Sequence, residues 1–216
     1  MSGPPGGGGP GRLVAVEGID GCGKSTQARL LAEATGARLT FEPGGTRLGQ
    51  VLRAVMLGDH RIALSERAEA LLMVADRAQH VAELIEPAMA AGRWVVTDRF
   101  SGSTLAYQGS GRGLDVTALR GLVDWGAGGR WPDLSVLVDV PPEVARDRMA
   151  ASSPDRLERL EPDFHRRVRE GFLRQASEDP RTWLVVDGSG TVDRVAAAVA
   201  QGVRERLGWP VGAVPS

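Results

Sequence analysis

The chain has one cysteine, Cys22, one tyrosine, Tyr107, and one lysine, Lys24, in 216 residues, and aromatic side chains make up only 5% of it. A lone cysteine excludes an internal disulfide, which suits a reducing cytosol, and inside a glycine-rich loop it reads as a small filler. No apolar run approaches the ~18–20 residues of a membrane span, and no secretory apolar segment follows the start. The formal net charge of −1 leaves no broad basic face of the kind that grips nucleic acid. His60, His80 and His165 lie far apart and form no metal-ligand pattern, and no Ser-His-Asp or Cys-His constellation stands out. These absences predict a cytoplasmic protein with neither a membrane nor a nucleic-acid partner.

What is present is a hydrophobic content of 42%, enough for one domain with a sizeable core. Residues 1–11 are Gly/Pro-rich with nothing to bury and read as a disordered tail; one domain over 12–209 and a short tail over 210–216 follow. Five apolar runs read as strands: Leu13–Val16, Arg38–Phe41, Trp94–Thr97, Leu134–Asp139 and Trp183–Asp187. Helical spacing covers Ser25–Ala34, Leu48–Leu57, Ser65–Met89 and roughly 115–125, 142–150, 161–178 and 191–207, with Ser65 as an N-cap before acidic first-turn residues. Strands alternating with helices predict an α/β fold with a parallel sheet covered on both faces. Ligands of such sheets gather beyond the carboxyl ends of the strands.

The single lysine sits in Gly18-Ile19-Asp20-Gly21-Cys22-Gly23-Lys24-Ser25, followed by Thr26. A strand, G-x-x-x-x-G-K-S and a helix form a phosphate-binding loop, in which backbone N–H groups close around a phosphate chain, the lysine reaches the β- and γ-phosphates and the serine hydroxyl ligates Mg²⁺. All 25 other basic residues are arginine, and a planar guanidinium is a poor substitute for a compact ammonium at that spot. The octet therefore predicts binding of a nucleoside triphosphate.

Asp98-Arg99 ends the third strand, beside the loop. It reads either as a Mg²⁺-holding carboxylate with a phosphate-gripping arginine or as a helix cap with a solvated arginine, and the strand-end position favours the first. Ser101–Arg112 is rich in hydroxyls and amides; it is either an ordinary polar loop or a surface that reads a base and sugar. Between 146 and 174, eight arginines interleave with six acidic residues, mostly as an ion-paired face. Its interruption at Ala150–Pro154 suggests a flap, with Arg148 and Arg156 as the candidates to cover the triphosphate. No general base for an alcohol is evident. A phosphate monoester needs none, because its second pKa is about 6 and its oxygen is already an anionic nucleophile at pH 7.

Together, Glu17–Thr26, Glu42-Pro43-Gly44-Gly45-Thr46, Leu71–Arg77, Thr97–Phe100 with Ser103–Gly109, and Asp155-Arg156-Leu157-Glu158 resemble the thymidylate kinase family from about Arg12 to Leu207. The resemblance implies ATP- and Mg²⁺-dependent phosphorylation of dTMP to dTDP by a homodimer. It also implies a three-layer P-loop NTPase fold: a five-stranded parallel sheet flanked by helices, with a short lid near 146–158. By position, Asp20 would approach the sugar 3′-hydroxyl, Arg77 the thymine and Arg99 the acceptor phosphate. Pro43, Met73, Thr104 and Gln108 would line the acceptor site, Tyr107 would crowd the place of a 2′-hydroxyl, and Ser25 and Asp98 would hold the metal. Lys24, Arg99, Arg148 and Arg156 are the catalytic candidates. Gly21, in place of a basic residue, resembles the class whose catalytic arginines sit in the lid. Three departures stand out. Phe41 replaces the usual arginine before Glu42, leaving Arg47 as the expected compensating cation; Met73 replaces a phenylalanine; and Ala150–Ser153 thin the lid's charge.

Overall fold

The structure, a computed structural model, describes residues 11–58, 63–149 and 162–208. Residues 1–10 of the tail expected over 1–11, the whole tail expected over 210–216, and the centre of the expected lid with Arg156 lie outside the described residues. Gly11, assigned to the tail by composition, is instead packed: a Cβ there would meet the Met89 backbone at 2.6 Å. Beside it, Arg12 forms an ion pair with Asp133 at 2.6 Å.

The five apolar runs form one parallel sheet: β1 (Leu13–Glu17), β2 (Arg38–Phe41), β3 (Val95–Asp98), β4 (Leu134–Asp139) and β5 (Trp183–Asp187), in the order β2-β3-β1-β4-β5. β1 is central and buried throughout, and its alternation supplies both layers. Val14 and Val16 pack in one cluster with Ala28 and Leu31, whereas Leu13 and Ala15 pack in another with Ile85, Ala88 and Phe100. Val16 pairs with Asp98 on one side and Val136 on the other, so the loops after β1, β3 and β4 leave the same edge of the sheet.

The helices are α1 (Lys24–Thr35), α2 (Arg47–Leu57), α3 (Glu66–His80), α4 (Glu86–Ala90), α5 (Ser101–Thr104), α6 (Val116–Gly126), α7 (Pro142–Met149), α8 (Pro162–Glu178) and α9 (Val192–Leu207). Ser65 caps α3 as expected, accepting from Ala68 N. The helix read as continuous over 65–89 is interrupted: Val81–Ile85 is π-helical. Pro87 has no N–H to give back along the helix, and a widened turn just before it accommodates the missing bond.

One segment departs from its simplest reading. Ser101–Arg112 is no polar loop: α5 runs directly into a π-helix over Leu105–Gly111, and the segment is buried nearly throughout. Its glycines are what allow this. A Cβ at Gly102 would lie 2.7 Å from the Trp183 ring, and one at Gly111 would lie 2.6 Å from the Phe164 ring. Small residues that look like loop composition here serve close approach in the core.

Candidate active site

The β1–α1 loop is shaped by backbone that only glycine adopts readily. Gly18, Gly21 and Gly23 have φ of 146°, 78° and 94°. Gly21 is constrained twice, since a Cβ on it would sit 2.3 Å from the carbonyl oxygen of Ala145 on α7. A basic side chain at this place in the loop is thus excluded by α7 as well as by φ. Lys24 follows, its Nζ donating to Asp20 Oδ1 at 3.1 Å and to the Ile19 carbonyl at 3.4 Å.

β3 delivers the next group. Asp98 ends the strand with its Oδ1 buried and without a hydrogen-bond partner among the described residues. Arg99 follows with φ 72°, an uncommon backbone for a residue with a Cβ. That conformation is tied down by Arg99 N donating to Val16 O at 2.9 Å and Thr97 Oγ1 donating to Arg99 O at 2.8 Å. The Arg99 guanidinium then pairs with Asp20, donates to Ser103 Oγ at 3.0 Å and to Tyr107 Oη at 3.1 Å, and lies 4.8 Å from the Tyr107 ring centre. Tyr107 Oη donates to Asp20 Oδ2 at 2.7 Å. Burial alone would raise the Asp20 pKa, but Arg99 and Lys24 outweigh it and hold the carboxyl well below the usual carboxylate range.

Beneath this network, Glu17 at the end of β1 is fully buried and accepts from Phe100 N, Ser103 N and Ser103 Oγ at 3.0, 3.3 and 2.6 Å. Burial pushes its pKa up to about 7, against the opposing hydrogen bond from Ser103 and the charge of Arg99. In the sequence alone Glu17 stands out only as the first residue of the segment Glu17–Thr26.

The far wall comes from β2 and α3. Glu42 and Arg77 form a buried pair: Glu42 Oε2 accepts from Arg77 Nε at 2.9 Å and faces Nη2 at 2.8 Å. Arg77 Nη2 also donates to Thr104 Oγ1 at 3.1 Å, while Nη1 is buried with no partner among the described residues. His80, absent from every expected constellation, braces the pair with Nδ1 2.9 Å from Glu42 and Nε2 2.7 Å from Thr40. Asp76 accepts from Gly44 N at 3.0 Å, and its pKa is raised to about 6 by burial and by the nearby Glu42 charge.

These walls enclose a cavity of about 320 Å³. Of the residues expected at the site, Asp20, Gly21, Lys24, Ser25, Pro43, Met73, Arg77, Asp98, Arg99, Thr104, Tyr107 and Gln108 all line it. Ile19, Cys22 and Gly23 complete the loop, Cys22 with its thiol buried and its pKa raised by that burial. Arg148 does not line the cavity; its Nη1 and Nη2 donate to the Cys22 and Gly188 carbonyls at 3.2 and 2.9 Å, bracing the loop. Arg47, the expected compensation for Phe41, is exposed and also absent from the wall, because α2 turns it outward. Arg53, a turn and a half along the same helix, lines the cavity instead, donating to Pro43 O at 2.8 Å with its guanidinium carbon 5.9 Å from the Phe41 ring centre. The helical spacing Arg47-to-Arg53 carried that signal, and Glu69, Met73 and Arg77 at four-residue steps carried the corresponding one on α3.

Asp98 and Ser25 offer hard oxygen donors at the loop, one of them an unpartnered buried carboxylate oxygen, and this set suits Mg²⁺ held jointly with phosphates. No helix among the described residues is long and apolar enough to cross a membrane. The family model of thymidylate kinase matches residues 16–199. A thymidylate kinase of Chromobacterium violaceum is 47% identical over 195 residues, covering 88% of this chain and 92% of that protein. One of Cupriavidus metallidurans is 45% identical over 196 residues, covering 88% and 96%. The crystal structure of thymidylate kinase from Ehrlichia chaffeensis superposes with a TM-score of 0.74 at 30% identity, covering 90% of this chain and all of that one. A glycine loop, a strand-end Asp-Arg pair and a walled cavity on this sheet order accompany those likenesses, and the chain belongs to the thymidylate kinase family.

Proposed function

We propose that the chain transfers the γ-phosphoryl group of ATP to dTMP in this cavity, giving ADP and dTDP. An oxygen of the dTMP phosphate bonds to the γ-phosphorus as the bond to the β–γ bridging oxygen breaks. The observation that carries this reading is that Arg77 and Gln108, which can read a base edge, line one cavity with Lys24, Asp98 and Arg99, which can hold phosphates and a metal. Backbone N–H groups of the glycine loop and Lys24 hold the donor phosphates. Arg99 and Arg53 bring charge to the acceptor phosphate, so that two anions meet without repulsion dominating. Arg77, Thr104 and Gln108 face the base, Met73 and Pro43 supply apolar wall, and Tyr107 with Asp20 closes the sugar side. Ser25 and Asp98 would hold Mg²⁺, which would supply charge neutralisation at the donor phosphates. Arg148, beside the glycine loop, and Arg156, outside the described residues, are the arginines assigned to the transferring phosphoryl group in this reading.

The lone buried thiol of Cys22 accords with a cytoplasmic enzyme. Leu71 on α3 and Leu122 and Trp125 on α6 are 54%, 38% and 81% exposed, and such apolar helix faces support a homodimer, which sedimentation would detect.

ADP release measured with ATP, Mg²⁺ and each of dTMP, dUMP, dCMP, dGMP and UMP tests the reaction. Preference for dTMP is the expected result, and no turnover of dTMP overturns the proposal. Met73 offers no ring face, so a dUMP rate close to that for dTMP would identify it as the cause of weak discrimination of the thymine methyl, worth ~1–3 kcal/mol in an apolar pocket.

A further inference from the structure

The two long polar side chains facing the acceptor base are each backed by a buried carboxylate. Glu42 stands behind Arg77, and Glu69 stands behind Gln108. Glu69 lies in the first turn of α3, two turns before Arg77, and is 1% exposed. Its Oε1 accepts from Gln108 Nε2 at 2.9 Å and Arg112 Nε at 3.4 Å, and its Oε2 accepts from Arg112 Nη2 at 3.0 Å. A guanidinium can only donate, so Arg112 keeps both Glu69 oxygens as acceptors.

This decides an ambiguity that a primary amide otherwise carries. Gln108 could turn either its nitrogen or its oxygen to a base. Facing a carboxylate, the nitrogen must turn to Glu69, and the carbonyl oxygen is the end left for the cavity. Arg77, on the wall of the same cavity, can only donate. An acceptor beside a donor matches a pyrimidine edge with a ring N–H beside a 4-keto oxygen. A 4-amino pyrimidine presents the reverse order and is mismatched at both places. Arg77 cannot reverse its donors, but an unlocked Gln108 amide can rotate by half a turn.

We propose that Glu69, held by Arg112, is a positioning residue that locks the Gln108 amide with its oxygen toward the acceptor base, and thereby sets the preference for a 4-keto over a 4-amino pyrimidine nucleotide. This rests on the reading of the cavity as the dTMP site. The two are separable, because turnover of dTMP by the unsubstituted enzyme tests the site and the dTMP-to-dCMP ratio of the variants tests the lock.

The experiment compares kcat/KM for dTMP and dCMP in the unsubstituted enzyme and in Glu69→Gln, whose amide accommodates either orientation of Gln108. The ratio is expected to fall about tenfold, through a higher KM for dTMP and a lower one for dCMP, with kcat for dTMP little changed. In a Gln108→Leu background the same substitution is expected to leave the ratio unmoved. Equal losses on both substrates, or the same ratio change with and without Gln108, would overturn the lock. Should Glu69→Gln not fold, Arg112→Gln at the partly exposed end of the pair replaces it: a fall in the ratio supports the lock and an unchanged ratio overturns it.

Discussion

The glycine loop and the cavity share two side chains, Arg99 and Lys24, yet they are built differently. The loop is contiguous, from Gly18 to Ser25, and its shape is held by glycine backbone angles and by α7 pressing on Gly21. The cavity draws on the β2–α2 connection, α2, α3, α5 and the following π-helix, and its polar side chains are aimed by others behind them: Glu42 and His80 behind Arg77, and Glu69 behind Gln108. A site that binds through backbone is specified where it stands. One that binds through side chains depends on residues that need never touch the ligand.

The largest test of that contrast removes the loop's one cation. Lys24→Ala is expected to lower kcat by about 10²–10³-fold while circular dichroism stays native, since no other side chain supplies that ammonium. Retention of most of the kcat would break the donor half of the comparison. Glu17, buried beneath both regions, probes their common support. Its pKa of about 7 in the folded chain lies above the 4.5 of an exposed glutamate. The stability it contributes is therefore fully present below pH 4.5 and lost as pH rises through 7, on the order of 3 kcal/mol in all. Glu17→Gln should remove this decline, so urea unfolding should show the variant gaining on the parent between pH 5 and pH 8. A pH-independent difference would contradict it.

On the acceptor side, Arg77→Ala should raise the KM for dTMP about 10–100-fold with the KM for ATP unmoved. It should also lower the melting temperature, because Glu42 is left buried without its cation. A rise in both KM values would erase the division between the two regions. The smallest effect is expected at Met73. Met73→Phe should lower the KM for dTMP by no more than about tenfold through ring stacking, and a higher KM would mean that the wall has no room for a ring.

The same division governs what the sequence discloses. The five strands, the Ser65 cap and the glycine loop are local in origin, and each was readable from a few consecutive residues. The residues that aim the cavity were not. Glu69 has the composition of a first-turn surface acid, and its partner Arg112 lies 43 positions away. His80 was set aside for lack of a metal pattern when its use is to brace a carboxylate. Ser101–Arg112 resembles a loop because its glycines and hydroxyls answer to Trp183 and Phe164, partners that only the folded sheet brings near. Arg53 displaced Arg47 because helix phase, and not closeness to Phe41 in sequence, decides which cation reaches the wall.

Asp20 holds Lys24, Arg99 and Tyr107 at once. It acts as a resident counter-anion, keeping two cations close together that would otherwise repel each other. An incoming ligand must out-compete a carboxylate for them. A phosphate dianion can do so, whereas the uncharged nucleoside offers nothing to trade. By charge alone, that exchange favours a phosphorylated nucleoside over a free one.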